Sequence, residues 1–336
     1  MTTALIGRLT QSMETDPDAI YTTEVERQFI QCLSSAGLDL RTIHPDWWIA
    51  SDGDPFLSAD YLRLTGRRRL WAVGAVGAEG IGLFVMLHPN AIDRVVFMAS
   101  DWLTVDAQAV KRIASMATAL GMGCSLARVP KQQRKWFEQN VVPHGFRLIH
   151  EQLLDWRFPV HTIDCELVIR SSGKSFQDVR TAMNKFRHRG SIKPVDLGDS
   201  AANDTLARIA DEWVDNRTTN DRPSTEAFRP GFFESLRRLD PQSVRVKHLL
   251  LRVDGQPTGF AVVERGKVAR LLAAQTVPGV KYMSDCLYFQ VSDWCLKTGH
   301  RHLCLGGSET ASLDRFKRKF CPIASTSLDS YVANDA

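Results

Sequence analysis

The chain has 336 residues, of which 44% are hydrophobic and 24% charged, with a formal net charge of +4. This composition belongs to a globular protein with room for two hydrophobic cores, and it excludes a disordered, collagen-like or coiled-coil chain. No apolar run approaches the ~18 residues of a membrane span, and the first residues lack an export signal, so we expect a cytoplasmic protein without a transmembrane segment. Seven scattered cysteines without a Cys-x-x-Cys pair are typical of reduced thiols.

The net charge is unevenly distributed along the chain. Residues 1–160 carry 16 basic and 17 acidic side chains, whereas residues 161–336 carry 26 basic and 21 acidic side chains. We therefore expect an anionic partner, if there is one, to bind the second half.

The first half contains strand and helix patterns in a definite order. Apolar runs bounded by turn residues predict strands, and apolar residues at helical spacing predict helices. The predicted strands lie at 70–76, 81–87, 94–98 and 124–129, and the predicted helices lie at 105–120 and 131–140.

The second half repeats this order, with corresponding elements about 173 to 180 positions further along. Its predicted strands lie at 246–253, 259–264, 268–274 and 302–305, its helices at 284–298 and 310–320, and a closing strand at 325–332. Two more helical patterns precede these strands, near 176–186 and 206–217. We therefore predict two domains, 1–160 and 161–336, with the boundary near Phe158.

Each copy consists of antiparallel strands followed by a helix, a strand and a helix, and this order resembles the acyltransferase fold of the GNAT superfamily. The resemblance implies an α/β (α+β) protein made of two tandem GNAT-like acyltransferase domains. Each domain is expected to be a mixed, mostly antiparallel sheet flanked by helices.

A coenzyme A site is the first possibility that such a fold suggests. The segment Gln256–Ala261 matches the Gln/Arg-x-x-Gly-x-Gly/Ala pattern, but it runs from a hairpin turn into a strand instead of opening a helix. The loop before the 284–298 helix, at 275–280, has one glycine and includes Pro278, which lacks an N–H donor. Acyl-CoA therefore remains an alternative acyl donor, with little support from the residues.

The most informative segment lies near the end of the chain. The sequence Leu-Gly-Gly-Ser at 305–308 follows a predicted strand, and Phe316 to Phe320 reads Phe-Lys-Arg-Lys-Phe within a predicted helix. Leu313, Phe316 and Phe320 fall on one face of that helix, and Lys317 lies at the edge of this apolar stripe. Periodicity alone favours the alternative that Lys317 keeps its ammonium in water.

This strand, the Leu-Gly-Gly-Ser turn and the Phe-Lys-x-Lys-Phe helix resemble the end of the Fem-type peptidyltransferases and of the phosphatidylglycerol lysyltransferase C-terminal (DUF2156-like) domain. The resemblance covers roughly residues 165–322 and implies transfer of an amino acid from aminoacyl-tRNA to an amine or hydroxyl. In the Fem-type family the lysine after phenylalanine in this helix lies at the reaction centre, which corresponds here to Lys317. The first copy has Phe137-Glu138 at the matching place, so only the second domain is expected to be catalytic.

An aminoacyl ester is already activated, so its attack by an amine requires positioning and stabilisation of the tetrahedral oxyanion. Lys317 would supply that charge, worth about 3 kcal/mol by analogy with one oxyanion-hole donor. The backbone N–H groups of Gly306, Gly307 and Ser308 would bind substrate beside it, together with Phe316. Alternatively, the glycines only form a tight turn.

A basic stretch in the second half is the candidate tRNA contact. Its cations, together with Arg318 on the exposed side of the last helix, would bind phosphates, although a solvated helix surface is an equal alternative. This set is Lys174, Arg180, Lys185, Arg187, Arg189, Lys193 and Arg318. Tyr282 could stack on an unpaired base, and Arg217, at the start of the polar loop 216–224, could bind an acceptor carboxylate or phosphate.

We predict no metal and no cofactor other than the acyl donor, because His300, His302 and Cys304 have no fourth ligand at a recognisable spacing. The predicted partners are aminoacylated tRNA and a small-molecule, peptide or lipid head-group acceptor, without DNA; the missing membrane span favours a soluble acceptor. Two alternatives stay open. They are an acyl-CoA-dependent N-acyltransferase and a non-catalytic tRNA- or protein-binding module on a GNAT scaffold.

Overall fold

A computed structural model describes residues 28, 31–32, 39–42, 70–74, 83–88, 91–99, 102–105, 107–149, 157–186, 188–217, 245–308 and 310–333. Two seven-stranded sheets organise this part of the chain. Both are mixed and mostly antiparallel, as the sequence predicts.

The first half of the chain builds the first sheet and its helices. The strands are β1 (Asp39–Thr42), β2 (Leu70–Gly74), β3 (Leu83–His88), β4 (Ala91–Ala99), β5 (Gly123–Pro130) and β6 (Phe146–Ile149), and the helices are α1 (Ala107–Ala119) and α2 (Arg134–Asn140). Neighbouring strands are antiparallel except β4 and β5, which are parallel and are joined by the crossover helix α1.

The second half builds the other sheet, and its last strand, β14, joins the first sheet. The strands are β7 (Val160–Asp164), β8 (Gly190–Val195), β9 (Val246–Val253), β10 (Gln256–Glu264), β11 (Ala269–Thr276), β12 (His302–Cys304), β13 (Ala324–Thr326) and β14 (Leu328–Ala333). The helices are α3 (Cys165–Arg170), α4 (Gln177–Phe186), α5 (Ser200–Arg217), α6 (Met283–Lys297) and α7 (Ala311–Arg318). Here β11 and β12 form the parallel pair.

The two sheets have the same strand order, but the first takes its sixth strand, β14, from the end of the chain. The first runs β1-β2-β3-β4-β5-β14-β6, and the second, read in the same direction, runs β8-β9-β10-β11-β12-β7-β13. The prediction of one closing strand at 325–332 in the second unit is therefore wrong. That segment is divided: β13 stays in the second sheet, while β14 lies between β5 and β6 of the first.

Helices cover both faces of the second sheet. On one face, Val179 of α4 and Leu287 and Val291 of α6 pack against Leu251, Ala261 and Leu271 of the sheet. On the opposite face, Leu206 and Ile209 of α5 pack against Phe260 and Val262. This arrangement follows from the apolar spacing of each helix and from the continuous apolar runs of the central strands.

The strands β11 and β12 separate soon after they meet. They pair over two positions, Ala269 with Leu303 and Arg270 with Cys304. Immediately beyond, β11 has a bulge: Val263 of β10 pairs with Leu271, but Val262 pairs with Ala273. Bulges bend a strand and often occur beside active sites, and this one lies where the pairing of β11 with β12 ends.

Candidate active site

Helix α7 buries two charged residues. Thr310 caps its N-terminus, because the side-chain Oγ1 accepts from the N–H of Leu313 at 3.2 Å. Asp314 and Lys317 are the buried residues within the helix, with only 6% and 5% of their surface exposed, whereas Leu313 and Phe316 are half-buried. The expected apolar stripe is thus present only in part, and Phe320, just after the helix, completes it in the core.

The Lys317 ammonium is buried against the backbone of the Gly-Gly turn. Its Nζ donates to the carbonyl oxygen of Gly306 at 3.4 Å and also to that of Gly307. A buried ammonium needs such acceptors, since its removal from water is costly when it is uncompensated. The ammonium of Lys317 is therefore buried and does not lie in water, as the alternative interpretation would require.

The Gly-Gly-Ser turn presents its carbonyls to Lys317, and Ser308 closes the turn against the chain before β7. The Ser308 carbonyl accepts from the backbone N–H groups of Arg157 and Phe158 at 2.9 and 3.0 Å. The Ser308 side chain is fully buried, and its Oγ has no hydrogen-bond partner among the described residues. Gly306 adopts a positive φ of 67°, which glycine accepts without strain.

A hydrogen-bonded chain of side chains runs beneath α7. The His161 imidazole, on β7 and 1% exposed, lies with Nε2 2.7 Å from Asp314 Oδ1 and with Nδ1 2.8 Å from Ser325 Oγ. Arg318 Nε donates to Asp314 Oδ2 at 2.8 Å. One buried carboxylate therefore accepts from an imidazole on one side and from a guanidinium on the other.

The environment fixes the ionisation of this chain. Burial opposes ionisation of Asp314, but hydrogen bonds from His161 and Arg318 outweigh it and hold the carboxyl pKa below its usual value. Burial lowers the pKa of His161, with repulsion from Arg318 and Lys317 acting in the same direction and Asp314 opposing them. The imidazole is then neutral near pH 7, with the proton on Nε2 facing Asp314 and Nδ1 accepting from Ser325.

A second group of cations surrounds the N-terminus of α6. Tyr282 precedes this helix with a positive φ of 70°. The Lys281 Nζ lies 4.8 Å from the centre of the Tyr282 ring, and the Lys185 Nζ, from α4, lies 5.9 Å from it. The fold thus brings together one predicted tRNA contact, Lys185, and the predicted stacking residue, Tyr282, and adds Lys281.

The C-terminal end of α7 reaches the same region. Lys319 Nζ lies 5.2 Å from the centre of the Phe316 ring and 3.4 Å from Oδ1 of Asp285, in the first turn of α6. Phe316 also packs edge-on against Tyr288, with the ring centres 5.0 Å apart. Predicted as a substrate contact, Phe316 is therefore also part of the aromatic packing between α6 and α7.

The other predicted tRNA contacts differ in their surroundings. Arg180 donates to the carbonyls of Ser171 and Gly173, and Arg189 forms an ion pair with Asp254. Lys174 and Lys193 are exposed, and Arg318 is paired with Asp314. Arg187, most of the loop 216–224 and the side chain of Arg217 lie outside the described residues.

The corresponding helix of the first unit has different chemistry. Phe137 is fully buried against Trp102 and stacked on Tyr331, with ring centres 5.1 and 4.9 Å away. Glu138, which aligns with Lys317, is exposed. No buried ammonium occupies this position of the first unit.

His161 and Asp314 were not selected from the sequence. The two residues are 153 positions apart, and they meet because β7 inserts beside β12. The one usable signal was an aspartate three residues before Lys317, which places both on neighbouring turns of one helix face. His300, considered from the sequence as a metal ligand, accepts a hydrogen bond from Arg265 Nε at 3.2 Å. The described residues contain no cluster of His, Cys, Asp and Glu suited to a metal.

Comparison with solved structures supports the fold. The chain superimposes on the C-terminal DUF2156 domain of a protein described as a lysylphosphatidylglycerol synthetase from Agrobacterium fabrum, with 14% identity and a TM-score of 0.58, covering 91% of this chain and 92% of that one. L-PGS from Bacillus licheniformis gives 12% identity and a TM-score of 0.58 over 87% and 92% of the two chains. FemX gives 11% identity and a TM-score of 0.60, covering 88% of this chain and 98% of that one.

These similarities confirm the predicted fold class, a GNAT-like α/β fold with mixed, mostly antiparallel sheets flanked by helices. A search of curated protein sequences gives no significant match. Among the described helices, none has the length and hydrophobicity required to cross a membrane. The family model for the C-terminal region of phosphatidylglycerol lysyltransferase matches residues 104–272, half of the sequence, and the chain belongs to this aminoacyltransferase family.

Proposed function

We propose that this protein transfers an aminoacyl group from a charged tRNA to an amine or hydroxyl of a small molecule, peptide or lipid head group. The observation that carries the proposal is the buried ammonium of Lys317, held by the carbonyls of Gly306 and Gly307 where β11 and β12 separate. It lies within a chain of the phosphatidylglycerol lysyltransferase C-terminal family.

The reaction is addition of the acceptor nitrogen or oxygen to the ester carbonyl, followed by loss of the tRNA 3′-terminal oxygen. Negative charge develops on the carbonyl oxygen in the tetrahedral intermediate. The ammonium of Lys317 stabilises this charge electrostatically, and its value is greatest in a site from which water is excluded. The acceptor loses its proton to the leaving oxygen or to water.

The buried hydroxyl of Ser308 supports a substrate contact beside Lys317. A buried polar atom without a partner costs about 1–3 kcal/mol, which a bound substrate would recover by a hydrogen bond. Gly306 and Gly307 then contribute by positioning Lys317 through their carbonyls, and their N–H groups remain candidate substrate donors.

The basic and aromatic groups near α6 support binding of the tRNA acceptor end. Lys185 and Lys281 surround Tyr282, and Lys319 lies over Phe316, so phosphate-binding charges alternate with rings on which an unpaired base stacks. This combination suits the single-stranded end of a charged tRNA.

The test is incubation of the full chain with tRNA charged by a mixture of labelled amino acids. Three acceptors are supplied in parallel: vesicles containing phosphatidylglycerol, a soluble small-molecule extract and a peptide mixture. We expect a labelled product in one arm, its loss after RNase treatment, and its loss in Lys317→Met but not in Lys297→Ala, an exposed lysine on α6. Product formed from acetyl-CoA and insensitive to RNase would overturn the tRNA assignment.

A further inference from the structure

We infer that His161, on the strand that joins the second sheet from the boundary between the units, is a positioning residue for Lys317. The inference rests on the proposed function only in treating Lys317 as catalytic. His161 holds two separate parts of the protein that surround the ammonium: the Gly-Gly turn and helix α7.

The backbone of His161 fixes the turn. Its N–H donates to the Gly306 carbonyl at 3.3 Å, and its carbonyl accepts from the Leu305 N–H at 2.8 Å. The same Gly306 carbonyl receives Lys317 Nζ at 3.4 Å. The Gly306 carbonyl oxygen therefore accepts hydrogen bonds from both the backbone N–H of His161 and the ammonium of Lys317.

The side chain of His161 fixes the helix. Nε2 lies 2.7 Å from Asp314 Oδ1, and Asp314 precedes Lys317 by three residues, on the same face of α7. Ser325 Oγ, on β13, lies 2.8 Å from Nδ1 and fixes the ring plane from the other side. A ring held at both nitrogens and 1% exposed has little freedom to turn, so it sets the distance between α7 and the sheet.

These contacts account for the burial of a neutral histidine at this position. His161 reaches the predicted substrate site only through the Gly-Gly turn and through the helix that carries Lys317. Displacement of a reacting group by about 1 Å can reduce a rate by about a hundredfold. A positioning residue is therefore expected to change the rate of transfer while leaving tRNA binding in place.

The experiment compares four variants in the full chain. His161→Ala removes both side-chain contacts, and His161→Gln keeps an N–H donor for Asp314. Ser325→Ala removes only the contact to Nδ1. The control, His302→Gln, alters a half-buried histidine on β12 that is not part of these hydrogen bonds. The first readout is the rate at which acetic anhydride labels each lysine, followed by mass spectrometry, which requires no enzymatic activity.

We expect His161→Ala to raise labelling of Lys317 at least about fivefold, with Lys297 and Lys319 unchanged, and His161→Gln to restore most of the protection. In the transfer assay, kcat should fall about tenfold to a hundredfold in His161→Ala, with the KM for charged tRNA within about twofold. His302→Gln should behave as the parent protein in both assays.

Wild-type labelling of Lys317 in a folded His161→Ala protein would overturn the inference, as would an equal increase at every lysine, which would indicate general loosening. If His161→Ala does not fold, Ser325→Ala decides by the same labelling criterion, and parent-like protection of Lys317 in the folded Ser325→Ala protein counts against the inference. Altered labelling without any transfer activity in the parent protein would instead refute the proposed function and leave the positioning role standing.

Discussion

Arg134 and Asp329 lie 195 positions apart and form a bidentate ion pair, with distances of 2.8 Å from Nε to Oδ2 and 2.7 Å from Nη2 to Oδ1. Arg134 belongs to α2 and Asp329 to the inserted strand β14. In the other sheet, the neutral His161 of the inserted strand β7 makes a single hydrogen bond to Asp314 of α7. In both units the inserted strand is thus bound to the last helix of the unit that receives it.

The Arg134–Asp329 pair should stabilise the insertion of β14. Asp329 is buried while Arg134 is about one-third exposed, so Asp329→Asn leaves a guanidinium with a weaker partner, and we expect a loss of about 2 kcal/mol in the free energy of unfolding. Urea denaturation measures this loss. Asp254→Asn, which breaks the exposed pair with Arg189, should leave the free energy of unfolding nearly unchanged, and equal effects of the two changes would argue against the assignment.

Lys317→Met should separate catalysis from stability. Methionine keeps most of the side-chain volume and removes the charge, so we expect transfer to slow by about a hundredfold to a thousandfold. Stability should be nearly unchanged, since a buried ammonium carries a desolvation cost that its hydrogen bonds only offset. Single-turnover kinetics and urea denaturation of the same preparation provide the two measurements. Retained kcat in a folded Lys317→Met protein would exclude oxyanion stabilisation by this group.

His248 predicts a pH-dependent loss of stability. Burial, aided by repulsion from Lys247, lowers the pKa of His248 from 6.5 to about 4. Between pH 6.5 and 4, His248 is therefore protonated in the unfolded chain but neutral in the folded chain. The free energy of unfolding keeps its full value above pH 6.5 and decreases as the pH falls toward 4. By pH 4 the loss should be about 3 kcal/mol.

The matching measurement is urea denaturation at pH 7.5 and at pH 4 for the parent protein and His248→Leu. The variant lacks the titrating group, so the difference in stability between the two proteins should change by about 3 kcal/mol over this interval. A constant difference would show that His248 titrates normally.

The cations near Tyr282 should appear in the salt dependence of tRNA binding. Each phosphate contact that is lost lowers the slope of log affinity against log salt by about one, so Lys185→Ala and Lys281→Ala should each reduce it by that amount. Filter binding at four salt concentrations measures the slope. Lys297→Ala should leave it unchanged, and unaltered slopes in both test variants would place the tRNA elsewhere.

Gly259 tests the coenzyme A alternative. A Cβ at this position would lie 2.9 Å from the Gln275 carbonyl oxygen and 2.9 Å from Thr276 Cγ2, so the glycine allows β10 and β11 to approach. We expect Gly259→Ala to destabilise the protein by about 1–3 kcal/mol. Thermal shift with acetyl-CoA completes the test, because clear stabilisation of the parent protein that Gly259→Ala abolishes would support a cofactor role for this segment.

The sequence placed its predicted helices and most strands to within about three residues, because apolar spacing is a local property that survives in the fold. The exception is α5, which begins at Ser200, six residues before the predicted start. The sequence missed the short strands β1, β6, β7 and β8 and the six-residue helix α3, where too few residues establish a period. Lys317 was found in the same local way, as a lysine at the edge of a helical stripe that resembled a known family.

What the sequence determined by itself is therefore the repeated order of elements, the basic character of the second half, and the position of Lys317 on its helix. Only the tertiary structure decided that β7 inserts between β12 and β13, and that β14 joins the sheet built mainly by the first half of the chain. The reason is physical: a strand pattern specifies which side chains face a core, but the hydrogen-bonding edge it joins depends on groups far away in sequence. The burial of Lys317, and its link through Gly306 to His161, follow from that choice of edge.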